Sequence, residues 1–238
     1  VRRIEKLGEA ILRAAVARDG REAARLADEL WSLNPYPALV APRMQALASA
    51  GRAPEARALG EDFLTDRVPI AEDIGVLVEL ARNYVDYSSD DEKALGCVQR
   101  ARAILGRTAL PAALLHAEAQ IHFRAGRHQQ ALASAKRIAK GGPPAAVEEL
   151  DRWLQLRVVW AQALHELGER EEALGTLEGV PESLGRGRAA RALLDAALGR
   201  LLWHAGRMRD AIDAMERASH EDGGLGALDR ARLLNNMG

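Results

Sequence analysis

Apolar residues recur three or four positions apart along most of the chain. Val147, Leu150, Leu154, Val158, Ala161 and Leu164 form one such stripe, and Ala211, Ala214, Met215 and Ala218 form another. This is the period of an amphipathic helix. The stripes are punctuated in a regular way: a glycine, four charged or polar-rich positions, then an alanine. The pattern occurs at Gly51 and Ala56, Gly126 and Ala131, Gly168 and Ala173, and Gly206 and Ala211. A glycine can adopt the left-handed conformation that ends a helix, polar residues open the next helix, and the small alanine lets two antiparallel helices approach. The glycines are 75, 42 and 38 residues apart. The longest gap holds one further unit, from Tyr84 to Ala94, in which a longer polar turn replaces the glycine. A weaker unit lies around Arg18-Asp19-Gly20-Arg21-Glu22-Ala23. Many units close on Pro or Gly, at Asn34-Pro35, Val68-Pro69, Gly141-Gly142-Pro143-Pro144, Val180-Pro181 and Gly223-Gly224. The chain therefore divides into helix pairs with a period of 38–42 residues, at roughly 1–35, 36–69, 70–108, 109–144, 145–186, 187–224 and a half-repeat at 225–238. Seven first-position (A) helices and six second-position (B) helices fit, with Pro42 expected to shorten or kink the A helix of the second repeat.

Composition agrees and narrows the class. The chain of 238 residues has 46 Ala and 34 Leu, against 3 Thr, 12 Val and 8 Ile, and aromatics are 4%. A sheet needs β-branched and aromatic residues on its faces, whereas Ala and Leu are strong helix formers. With 48% apolar residues and no long charge block, disorder is excluded. No uncharged stretch approaches the ~20 apolar residues of a membrane-spanning helix, and no signal-peptide pattern is read at the start. The formal charge of −1 argues against a nucleic-acid binder. Only four of the 33 basic residues are Lys, which with the alanine excess points to a GC-rich bacterial genome. The single cysteine, Cys97, sits in an apolar helical stretch and reads as a small core residue in a reducing cytoplasm.

Catalytic and metal motifs are missing from the sequence: there is no phosphate loop, no HExxH, no paired cysteine and no Gly-x-Ser-x-Gly. His116, His122 and His128 are six apart, the wrong spacing for two ligands on one helical face. The acidic runs at 89–92 and 169–172 open helices, where carboxylates suit the positive end of the dipole. The expectation is a non-enzyme without cofactor or metal.

Three repeats carry a resemblance to the tetratricopeptide repeat (TPR) family. They are Leu198-Gly199, Leu202, Gly206, Ala211, Met215 and Ala218; Leu80-Ala81, Tyr84, Ala94, Val98 and Ala101; and Ala119, His122, Gly126, Ala131, Ala135, Ile138 and Pro143. The period exceeds the family's usual 34, resembling the TPR regions of bacterial regulatory and scaffold proteins. The resemblance implies an all-α fold, a right-handed α-solenoid of antiparallel helix pairs in a TPR-like superhelix. The opening Val1 and the closing half-repeat, Ala231 to Gly238, are read as marks of a fragment of a longer protein, with end-to-end self-association through the truncated last repeat.

The resemblance also implies a concave groove walled by A-helix residues. Carried through the Gly–Ala landmarks, it selects Arg82, Asp86, His116, Gln120, Phe123, Arg124, Gln155, Gln162, His165, Glu166, Arg200, Trp203, His204, Arg232 and Asn235. Arg and Gln can bond a peptide backbone or carboxylates, and Phe123 and Trp203 offer apolar anchors. The expected function is a cytoplasmic scaffold or regulatory module that binds a protein or peptide partner bearing acidic groups. Neither nucleic acid nor membrane insertion is expected. The alternative is a signal-peptide or small-ligand sensor domain controlling an attached ATPase, kinase or transcription factor.

Overall fold

In the computed structural model, residues 6–7, 9–11, 13–14, 19–33, 36–139, 142–144, 147–185 and 189–220 are described. The helices are α1 (Gly20–Leu33), α2 (Val40–Ser49), α3 (Ala53–Leu64), α4 (Ile74–Asn83), α5 (Asp91–Leu105), α6 (Ala112–Arg124), α7 (His128–Ala139), α8 (Val147–Glu166), α9 (Arg170–Glu178), α10 (Ala189–His204) and α11 (Met208–His220). No strand occurs among the described residues, so the fold is all-α.

The Gly–Ala punctuation has one physical cause, repeated four times. In each A-to-B turn the glycine takes a left-handed φ, 79° at Gly51, 71° at Gly126, 88° at Gly168 and 76° at Gly206. The next residue's N–H then reaches back five residues: Arg52 to the Leu47 carbonyl at 2.9 Å, Arg127 to His122 at 2.8 Å, Glu169 to Leu164 at 2.9 Å, and Arg207 to Leu202 at 3.0 Å. The glycine's own N–H bonds the carbonyl three residues back. This is the Schellman closure of a helix. The residue after the glycine then caps the B helix, because its carbonyl accepts from the N–H of the key alanine at 2.9–3.0 Å in every case. Those alanines, Ala56, Ala131, Ala173 and Ala211, are fully buried.

The turn that lacks a glycine is built on the same wiring with one extra residue. Residues Tyr84–Ser88 form a π-helical turn and Ser89 takes the left-handed conformation at φ 52°. Asp90 N–H bonds the Tyr84 carbonyl at 3.2 Å, and Ala94 N–H bonds Asp90 at 3.1 Å. Left-handed backbone costs an L-residue about 1–2 kcal/mol. Ser89→Gly is therefore expected to stabilise the chain by about 1 kcal/mol, and Gly168→Ala to destabilise it by a similar amount. A Cβ at Gly168 would meet nothing within 4 Å, so the second change isolates the dihedral effect. Urea titrations of the two variants check both signs.

Pro42 does not break its helix. It stands in the first turn of α2, where its missing N–H removes no intrahelical bond, after a 3-10 turn at Pro37–Leu39.

The contacts divide into two bodies, Val1–Ala117 and Glu118–Gly238. In the first, α1 packs on α2, α2 on α3 and α4, α3 on α4, and α4 on α5. In the second, α7 packs on α8, α8 on α9 and α10, α9 on α10, and α10 on α11. The A helices α2, α4, α8 and α10 thus each touch their own B helix, the preceding B helix and a neighbouring A helix, which is the stacking of a repeat array. The core of the second body joins Ala119 and Ala131 to Trp153, Leu154, Trp160, Leu164, Leu177, Leu194, Leu198 and Ala211. Arg157 stacks over both the Trp153 and Trp160 rings at 5.2 Å, and burial lowers its pKa.

One ionic cluster lies inside this body. Arg191 and Asp195, one turn apart on α10, are 2% and 1% exposed. The guanidinium makes two 2.9 Å bonds to the carboxylate, from Nε to Oδ2 and from Nη2 to Oδ1. Its Nη1 donates to the Pro181 carbonyl at 2.8 Å. The pair thereby ties the segment after α9 to the side of α10.

Candidate functional site

Counting back from the turn glycine, positions −2, −3 and −6 of an A helix lie on neighbouring turns of one flank. For α8 these are Glu166, His165 and Gln162, and for α10 they are His204, Trp203 and Arg200. Because α8 and α10 pack side by side, the two sets meet. Gln162, His165 and Glu166 of α8, with Ala197, Arg200, Leu201 and His204 of α10 and Phe123 of α6, enclose an open pocket of about 300 Å³. The imidazoles of His165 and His204 lie 5.3 Å apart with their planes tilted by 30°. Phe123 closes one side and packs edge-on against His128 at 5.4 Å.

Among the described residues, Gln162, Glu166 and Arg200 make no hydrogen bond or ion pair within the protein. Ala197, Leu201 and Phe123 give it an apolar wall beside one guanidinium, one carboxylate, one amide and two imidazoles. Such a lining can hold a side chain against the wall while bonding both donors and acceptors of an adjoining backbone.

The remaining strip residues are placed differently. Arg82 donates from Nη1 to both oxygens of Glu79 at 3.0 Å. Asp86 is exposed on the π-helical turn. His116 is 4% exposed and sits in the interior, so it offers no surface to a ligand; the Gly–Ala landmarks assign it to a wall that it does not reach. Gln120 is half-buried and Arg124 is exposed at the end of α6. The Gln155 amide oxygen accepts from Arg152 at 2.8 Å. Trp203 is outside the pocket lining and is 43% exposed. It occupies the α10 position that His165 occupies on α8. Arg232 and Asn235 lie outside the described residues. The sequence reading missed Ala197 and Leu201, whose apolar character looked like ordinary core, and His128, which supports Phe123.

Among the described residues no group of three or more His, Cys, Asp or Glu side chains could hold a metal ion. No helix among them is long and apolar enough to cross a membrane.

No protein-family model matches the chain, and no curated protein matches its sequence. Solved structures do match. A tetratricopeptide repeat protein from Parabacteroides merdae aligns over 100% of this chain and 99% of that one at 15% identity, with a TM-score of 0.55. MamA of AMB-1 aligns over 78% and 99% at 18% identity, with a TM-score of 0.52. YrrB, a TPR protein with an unusual peptide-binding site, aligns over 90% and 98% at 17% identity, with a TM-score of 0.51. The likeness is one of fold: the chain has the helix-pair architecture of tetratricopeptide repeat proteins.

Proposed function

We propose that the chain is a non-catalytic interaction module that seats a protein or peptide segment against the α8–α10 pocket and the A-helix strip around it. The observation that carries this reading is the open pocket in which Gln162, Glu166 and Arg200 have no partner among the described residues. Gln162 is half-buried, and a half-buried polar group gains from a ligand when nothing in the protein already satisfies it. The fold supports the same reading by analogy, since YrrB is described as having a peptide-binding site. Arg200 and the two imidazoles favour a segment with a carboxylate beside an apolar residue, the carboxylate on Arg200 and the apolar group against Phe123 and Leu201. The reading is of a cytoplasmic scaffold or regulatory module in a bacterial protein.

Selection of a random peptide library against the chain tests it. The enriched peptides should pair an acidic with an apolar residue. Alanine at Arg124, Arg200 and Arg232 together should weaken them by about tenfold or more, the loss of at least one charge-assisted bond, and flatten their salt dependence. Selected peptides that bind the triple variant with unchanged affinity and salt dependence would sink the acidic-segment reading.

A further inference from the structure

The N-terminal body holds a second cavity that shares no residue with the α8–α10 pocket and does not depend on the reading above. It is about 280 Å³ and lies where α3, α4 and α5 meet. Its floor is apolar and buried, made by Leu64, Leu80, Cys97 and the ring of Tyr84. Burial pushes the Cys97 thiol up to about 11, against the opposing pull of Arg100. Burial, and then its bond to Glu61, raises the Tyr84 hydroxyl. Both groups keep their protons at neutral pH, so the cavity offers no nucleophile.

Its charges stand at two ends. At one end, Glu61 Oε1 accepts from the Tyr84 hydroxyl and lies 3.5 Å from the Lys93 ammonium. Glu61 Oε2 has no partner among the described residues. At the other end is Arg100, seven residues beyond Lys93 on α5 and so about 10 Å further along the helix. Arg100 makes no hydrogen bond or ion pair among the described residues. Between the ends lies Gly96, where a Cβ would meet nothing within 4 Å. This glycine serves neither a left-handed turn nor a close helix contact, and its missing side chain leaves the middle of the cavity open.

We propose that this cavity binds a small zwitterion with an apolar middle, an amino-carboxylate. Its ammonium pairs with Glu61 Oε2, its methylenes lie over Leu64, Leu80 and Gly96, and its carboxylate meets Arg100. A plain carboxylate would leave the Glu61 oxygen unmatched, and a plain amine would leave Arg100 unmatched. The volume is at the small end for ligand sites and excludes a folded partner.

Heteronuclear NMR titration of the whole chain with ε-aminocaproate, caproate and hexylamine tests the proposal. ε-Aminocaproate should give saturable shifts centred on residues 61–65, 80–84 and 93–100. Caproate and hexylamine should each bind about tenfold more weakly, having lost one charge-assisted pair. Arg100→Ala should weaken ε-aminocaproate about tenfold and leave hexylamine unchanged, and Glu61→Gln should do so while leaving caproate unchanged. Gly96→Leu fills the cavity and should abolish binding. It replaces a helix-interior glycine by a better helix former, so its Tm should be no lower than the parent's. If that variant does not fold, the Arg100 and Glu61 variants decide. The proposal is overturned by an absence of saturable shifts with ε-aminocaproate, by caproate binding as tightly as ε-aminocaproate, or by Arg100→Ala and Glu61→Gln both binding it unchanged.

Discussion

Asp195→Ala is expected to destabilise the chain by about 3–5 kcal/mol, the cost of leaving a buried charge without its partner. Arg191 is almost wholly buried among the apolar residues of α10. Its bonds to Asp195 are bidentate, and its remaining donor is committed to the Pro181 carbonyl. Without the carboxylate, the guanidinium must stay charged in the interior or drag the 181–185 segment and the start of α10 open to reach water. Arg217, whose Nε is 3.7 Å from Asp195 Oδ1, would then add repulsion rather than relief. Replacing the pair by apolar residues of similar volume, Arg191→Met with Asp195→Leu, should cost far less than the single change. The reason is that a buried pair barely offsets its own desolvation. Urea denaturation of the single and double variants checks the ordering. Equal losses would mean that Asp195 acts by packing and not by compensating charge.

This pair shows where sequence reasoning stops. The repeat pattern was legible because one backbone need, a left-handed residue followed by a close helix contact, recurs with the same two residue types at Gly51, Gly126, Gly168 and Gly206. The π-helical turn at Tyr84–Ser88 broke the residue pattern, yet its alanine at position 94 and its polar composition still marked it. Arg191 and Asp195 left no such mark. An Arg and an Asp four apart on a helix look like a solvated surface pair, and only the packing of α9, α10 and α11 makes them interior. The groove strip behaves similarly. Positions −2, −3 and −6 of α8 and α10 follow from helix geometry, so Gln162, His165, Arg200 and His204 were placeable by counting. Which flank of an A helix is covered depends on the next helix, and counting is blind to that. His116 is enclosed and Trp203 is 43% exposed, although both were chosen by the same landmarks.

Gly20→Ala is the second large expected effect, a loss of about 1–3 kcal/mol with the upper part of that range favoured. In the sequence Gly20 resembles the turn glycines, but it stands three residues before Ala23, not five. The hydrogen bonds show the difference. Asp19, not a residue after Gly20, reaches back five positions to the Ala14 carbonyl at 2.9 Å, and its own carbonyl accepts from Ala23 at 3.0 Å. Asp19 therefore holds the place of Arg52 or Arg207, and its side chain caps α1 by accepting from Glu22 N–H at 3.0 Å. Gly20 is already the first residue of α1 and is not among the glycines with left-handed φ. It is glycine because α2 ends against it: a Cβ there would lie 2.2 Å from the Ser49 carbonyl oxygen and 2.9 Å from Ala50 N. Those are backbone atoms of the α2–α3 turn, which is held by Gly51, so no side-chain rotation can relieve the clash. Alanine at Gly20 must push α1 away from α2 or distort the turn. The same substitution at Gly168 strains only one dihedral and touches nothing. Thermal or urea unfolding of the two alanine variants side by side should therefore show the larger loss at Gly20. A Gly20 variant no less stable than the Gly168 one would contradict the close approach of α1 to the end of α2.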